Sequence, residues 1–166
     1  MSDTLEFMVR TLLIGLGATL VLDAWSQFSQ RVLRRPAQNP AFLGRWVGHF
    51  PRGRFAHASI AAAAPVRGEV ALGWITHFAV GIVFAALLLA IVGLDWARSP
   101  TLLPALVFGV VTVAAPFFVV QPALGAGVMA SRTPNPNAAR LNSLVSHSVF
   151  GLGLYLAALL WAWMIP

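Results

Sequence analysis

Two stretches of the 166-residue chain carry nearly the same polar device inside apolar sequence: "GWITHFAVG", residues 73–81, and "SLVSHSVFG", residues 143–151. In each, a histidine (His77 or His147) follows a hydroxyl residue, with a small residue four places before it and a glycine four places after. An imidazole in an apolar setting can hydrogen-bond a neighbouring helix, take and release a proton, or ligate a metal or haem iron. Asp23 and Gln121 stand in two other apolar stretches. Carboxylate, amide and two imidazoles together suit a small polar molecule, a cation or a proton.

The elements that must position these residues follow from apolar run lengths. Hydrophobic residues make up 58% of the chain and charged residues 10%, with mean hydropathy +0.79; soluble domains carry roughly 25% charged residues. Val70–Val92 has His77 as its one ionisable residue, Leu102–Val120 has none, and Leu141–Met164 has only His147. Between Leu5 and Phe28 the interruptions are Glu6, Arg10 and Asp23. A helix needs about 20 apolar residues to cross hydrocarbon. The expected fold is all-α: one polytopic membrane domain over residues 1–166, with spans near 7–28, 70–93, 102–121 and 141–164, and loops at 29–69 and 122–140. The N-terminal stretch carries Asp3 and Glu6, lacks a basic leader, and reads as an uncleaved anchor.

Charge sets the expected orientation. All eleven basic residues are arginine, and the net charge is +6. Seven (Arg31, Arg34, Arg35, Arg45, Arg52, Arg54 and Arg67) lie between the first two spans, and Arg132 and Arg140 lie between the last two. Arg10 and Arg98 fall on the other side. Positive loops stay cytoplasmic, so both termini are expected in the periplasm. Arginines at membrane ends point to anionic lipid head groups as partners and not to nucleic acid.

With this topology His77, eight residues past Glu69, and His147, seven past Arg140, lie about 10–12 Å inside their helices at 1.5 Å per residue. Asp23 and Gln121 lie near the cytoplasmic ends of the oppositely running spans. The candidate ligand-binding set is Asp23, His77, Gln121 and His147, with Arg132 and Arg140 as nearby cations. An ionised group in a span costs roughly 2.5–3.5 kcal/mol and needs a partner; for Asp23 the candidates are His77, His147, Arg132 and Arg140. Gly73, His77 and Gly81 share a face, as do Ser143, His147 and Gly151. Those small residues either let backbones approach or leave room for a flat ligand. The 70-residue spacing of the two strings also allows a parallel duplication.

The loops read as structured. Phe42, Leu43, Trp46, Val47 and Phe50 recur at helical spacing, with Arg45 and His49 elsewhere on the wheel, which suits a short amphipathic helix at the membrane surface or folded back over the bundle. "ASIAAAAP" suggests a second short helix ended by Pro65. Pro122, Gly125, Gly127, Pro134 and Pro136 break the third loop, and Asn137 is a candidate cap for the last helix. Pro116 is expected to kink the third span. Thr76 and Ser146 are expected to bond back to their own helices, and Trp25, Trp96, Trp161 and Trp163 to form an interfacial belt.

Several function classes drop out. There is no cysteine, which removes thiolate chemistry. Gly-x-Ser-x-Gly, His-Glu-x-x-His and Walker patterns are missing, and Gly15-Leu-Gly17 follows no strand. An enzyme therefore ranks last. Binding or translocation of a small molecule, ion or proton leads, with a homodimer or membrane partner allowed. The alternatives are a haem b electron carrier ligated by His77 and His147, and an accessory subunit of a membrane complex.

The strings "GLGATLVLDAW", "GRWVGHFPRGRFAH", "GEVALGWITHFAVG", "QPALGAGVMASRTPNPNAARLNSLVSH" and "FGLGLYL" together resemble a bacterial family of small inner-membrane proteins known only as a domain of unknown function. The resemblance implies four spans and a bacterial inner membrane. It implies no reaction, substrate or cofactor.

Overall fold

The computed structural model describes residues 2–34 and 39–164. Among them every regular element is a helix: α1 (Asp3–Val32), α2 (Pro40–Gly48), α3 (Glu69–Val92), α4 (Leu94–Arg98), α5 (Leu102–Ala123) and α6 (Pro136–Met164), with 3₁₀ turns at Phe50–Arg52 and Val128–Ala130. The helices α1, α3, α5 and α6 are long and apolar enough to cross a membrane. Their outer faces show large apolar side chains: Ile91 is 72% exposed and Leu103 is 70% exposed. Water disfavours such a surface, whereas hydrocarbon accepts it as long as the backbone bonds close within the helix.

Local chemistry sets the helix ends. Ser2 Oγ accepts the Leu5 amide at the start of α1. Asn39 Oδ1 accepts the Ala41 amide, with Pro40 at the first position of α2, where its missing N–H is no loss. The cap of α6 is Asn135, whose Oδ1 accepts the Ala138 amide at 3.2 Å. This corrects the expectation for Asn137, which lies inside the first turn and receives Arg140 instead. Pro136 in the first turn shifts the start of the helix back beyond residue 141. At Pro116 α5 does not simply kink: Pro116–Val120 winds as a π-helix, a form that absorbs an inserted residue and leaves backbone groups less regularly paired.

The chain divides into two compact units, one of residues 2–34, 78–112 and 146–164, the other of residues 39–77 and 113–145. The first unit holds the apolar core, built from Ile14, Ala18, Leu88, Leu89, Phe150 and Leu154 among others. Phe84 meets Phe108 and Phe150 edge-on at 6.4 and 6.0 Å. Close helix crossings hold it together: Gly15 against the Ile82 backbone, Gly153 against the Ala18 backbone, and Gly109 against Gly151. Small residues at crossings give dispersion contact and backbone proximity where lipid supplies no hydrophobic drive. Trp96 belongs to this core at 8% exposure, its indole N–H donating to the Thr101 carbonyl. It is therefore not part of an interfacial belt; Trp163, 83% exposed, keeps that expectation.

The second unit is made of loops and helix ends. His57 and Ile60 donate their amides to the Ala123 and Leu124 carbonyls at 2.8 and 3.0 Å, so the first loop is strapped to the third. Gly125 takes φ +93 with the Ala58 carbonyl packed where a side chain would start. The stretch "ASIAAAAP" does not form a helix. Its carbonyls at Ile60, Ala61 and Ala63 accept from the Arg45 guanidinium, and Ile60 also closes a single turn with the Ala63 amide at 3.2 Å.

Candidate functional site

In the second unit α2 turns its polar face inward. Arg45 is 9% exposed and His49 is 2% exposed, so the arginine and histidine that lie off the apolar face of the wheel are covered by protein. The Arg45 guanidinium grips Glu69 in a two-pronged pair, Nη2 to Oε1 at 2.7 Å and Nε to Oε2 at 2.9 Å. Glu69 Oε2 also accepts the Val66 amide at 2.9 Å. The planar fork matches the carboxylate, and its hydrogen bond to Glu69 holds the Arg45 pKa above the ordinary arginine value.

Next to this clamp the two loop histidines bond to each other, His49 Nδ1 to His57 Nε2 at 2.7 Å, while His49 Nε2 lies 3.1 Å from the Ala64 carbonyl. A carbonyl only accepts, so His49 carries its hydrogen on Nε2 and His57 donates to His49 Nδ1. This leaves His57 Nδ1 buried with no partner among the described residues.

Gln121 sits where the π-helical turn ends. Its Nε2 donates to Ser143 Oγ at 3.2 Å, and its Oε1 is buried with no partner among the described residues. The loop that follows is strained at two non-glycine positions, Met129 (φ 51) and Ala130 (φ 58). Left-handed backbone at such residues costs on the order of 1–3 kcal/mol and collects at functional sites. Arg140 holds this bend from below, donating to the Met129 carbonyl at 2.9 Å and to Asn137 at 3.2 Å. Arg132 is exposed. His77 is half-buried and meets the Trp74 ring edge-on at 5.8 Å, and Thr76 bonds back to the Leu72 carbonyl as expected.

In the first unit the Thr112 hydroxyl donates to the Gly109 carbonyl at 2.6 Å and lies 2.9 Å from His147 Nδ1. The hydroxyl has one hydrogen, so Nδ1 of His147 donates and Nε2 keeps its lone pair. Asp23 is half-buried on α1. At the far end of that helix Glu6 takes both Arg10 (Nε to Oε1, 2.7 Å) and Arg98 (Nη2 to Oε2, 2.6 Å). Arg10, 2% exposed, also reaches the Ala97 carbonyl. Glu6 raises the Arg98 pKa well above its ordinary value.

The glycines beside the histidines are filled by protein: Gly73 faces the Pro40 carbonyl, Gly81 faces Thr19 Oγ1, and Gly151 faces the Ala105 carbonyl. Close packing, and not a slot for a flat ligand, is what these three supply. The two nine-residue strings also sit in unlike surroundings, since His147 is anchored by a threonine of α5 and Gly73 packs on α2. Among the described residues no three His, Cys, Asp or Glu side chains gather into a metal site.

Arg45, Glu69, His49, His57, Thr112 and the Glu6 pair of arginines were not singled out as site residues from sequence. The available signals were small: a lone carboxylate at the start of an apolar run, two histidines eight apart, and one threonine inside an otherwise apolar span.

These features define an all-helical protein with four membrane-length helices and polar side chains fixed at helix ends. Residues 12–161 match the family described as "Protein of unknown function (DUF2938)". The chain belongs to that family. No curated protein and no solved structure matches it.

Proposed function

We infer that this chain is a multi-pass protein of the bacterial inner membrane, with its arginine-rich loops in the cytoplasm and both termini in the periplasm. It binds or passes a small polar guest, a molecule, ion or proton, near the loop ends of its spans. The observation that carries this is the Gln121 amide: one end bonds Ser143 and the other is buried with no partner among the described residues. Amide oxygen and nitrogen exchange places on a flip, but either way one buried polar end is unmet. Burying such a group unpaired costs about 1–3 kcal/mol, a cost that a bound guest removes. The π-turn before Gln121 and the strained Met129–Ala130 bend after it support the same reading. His147, with Nε2 left as an acceptor, and Asp23 and His77 are the ionisable groups assigned to handling a proton or cation; Arg140 holds the loop, and Arg132 supplies exposed positive charge.

The test is Gln121→Leu in proteoliposomes loaded with a pH dye, challenged with a pH step and separately with potassium or ammonium. Wild-type vesicles are expected to exceed empty ones for at least one probe. The variant is expected to fall to the empty level while melting at the same temperature or higher, because an unmet polar group has been replaced by an apolar one. A variant that melts lower, with no flux in either protein, makes Gln121 a purely structural amide and ends this reading. A Soret band in protein from haem-replete cells replaces it by the haem alternative on His147 and His77.

A further inference from the structure

The turn Phe50–Phe55, "FPRGRF", is the most conspicuous element that the small-guest reading leaves unused. It is rigid by construction. Arg52 and Arg54 both donate their amides to the His49 carbonyl, at 3.0 and 3.3 Å, and Gly53 turns the chain with φ +68. Its flanking aromatics stack: Trp46 on Phe50 at 5.0 Å edge-on, and Phe50 on Phe55 at 5.1 Å. The Trp46 indole N–H donates to the Phe55 carbonyl at 2.8 Å. His49, whose carbonyl accepts both amides of this turn, is itself fixed by Ala64 and His57.

On this frame Arg52 and Arg54 are exposed and make no ion pair or side-chain hydrogen bond among the described residues. Phe55 beside them is 60% exposed. The unit as a whole holds six arginines (45, 52, 54, 67, 132 and 140) and a single carboxylate, Glu69. That carboxylate is already occupied by Arg45, so nothing acidic is left to neutralise the turn. Two exposed guanidiniums two positions apart on one fixed turn can both reach phosphate oxygens, and the exposed phenylalanine beside them offers apolar surface to hydrocarbon. Phosphate next to hydrocarbon is the chemistry of a lipid surface.

We propose that the Phe50–Phe55 turn is an anchor for anionic phospholipid, with Arg52 and Arg54 binding head-group phosphate and Phe55 seated at the level of the acyl-chain boundary. The element is independent of Gln121 and stands whether or not a guest binds there.

The chain has no cysteine, so Ala56→Cys carries a single fluorescent label next to the turn. The labelled full-length protein is placed in nanodiscs of pure phosphatidylcholine or of phosphatidylcholine with phosphatidylglycerol, and quenching by aqueous iodide is measured. The label is expected to be several-fold less accessible with phosphatidylglycerol. Arg52→Gln with Arg54→Gln is expected to abolish that difference, each arginine contributing roughly fivefold at low salt. Circular dichroism and size-exclusion profiles check that the variants keep their helices. Equal accessibility in both lipids overturns the proposal. So does protection that survives the double substitution, which means protein or aromatic contact alone covers the turn. Inorganic phosphate that removes the protection at matched ionic strength shows a free-anion site and overturns the membrane assignment. Gln121→Leu serves as a control in the same assay and is expected to leave the quenching difference unchanged.

Discussion

Thr112 and His147 form a fixed pair across two helices: the threonine oxygen lies 2.9 Å from Nδ1 of the imidazole and spends its own hydrogen on the Gly109 carbonyl at 2.6 Å. The ring is thereby held in one tautomer, with Nε2 as the acceptor atom. This is how a helix bundle presents a lone pair reproducibly, because the orientation is set by an oxygen that is itself immobilised.

Replacing Thr112 by valine keeps the shape and removes the anchor. The expected cost is about 1 kcal/mol of stability from the lost hydrogen bond, with the fold retained. Nitrogen NMR of selectively labelled histidine is expected to show the His147 ring passing from a single tautomer to a mixture. A spectrum identical to wild type means the ring is set by something other than Thr112.

The Arg45–Glu69 clamp predicts a local effect and not a global one. Arg45→Lys keeps the charge but cannot make the two-pronged pair and also reach the carbonyls of Ile60, Ala61 and Ala63. Hydrogen exchange is expected to accelerate over residues 57–69 in Arg45→Lys nearly as much as in Arg45→Ala, while the core helices keep their protection. Full protection in the lysine variant shows that charge alone holds the loop.

Gly109 and Gly151 meet backbone to backbone, so a side chain at either forces the two helices apart. Gly151→Val is expected to cost about 1–3 kcal/mol or more, seen as a lower melting temperature in detergent. A melting temperature unchanged by Gly151→Val contradicts the observed packing of Gly151 on the Ala105 carbonyl and the Gly109 backbone.

At the opposite end of α1, Glu6 and Asp3 both reach Arg98, at 2.6 and 3.4 Å, yet they are not equivalent. Asp3 is 85% exposed, and such pairs contribute little. Glu6 also answers Arg10, which is buried, and removing the partner of a buried charge is strongly destabilising. Glu6→Gln is therefore expected to lower the melting temperature clearly and Asp3→Asn hardly at all; equal shifts refute the distinction.

Sequence by itself determined the long helices. Run length and apolarity are local properties, and the membrane-length helices α1, α3, α5 and α6 lie where those properties placed spans. The glycines at 73, 81 and 151 were also legible as small positions, and Thr76 as a residue bonded to its own helix. What filled the glycine faces was not legible, since backbone from another helix and a flat ligand ask the same thing of the local sequence. Tertiary structure alone decided that Arg45 and His49 turn inward, that Trp96 is buried, that residues 57–64 form a carbonyl-lined turn, and that Thr112 orients His147. Each of these depends on a hydrogen-bond partner outside the residue's own helical turn, from five residues away for Trp96 to 35 for Thr112 and His147. Hydropathy measures how much a residue wants to leave water, but it carries no information about which distant donor or acceptor will meet it there.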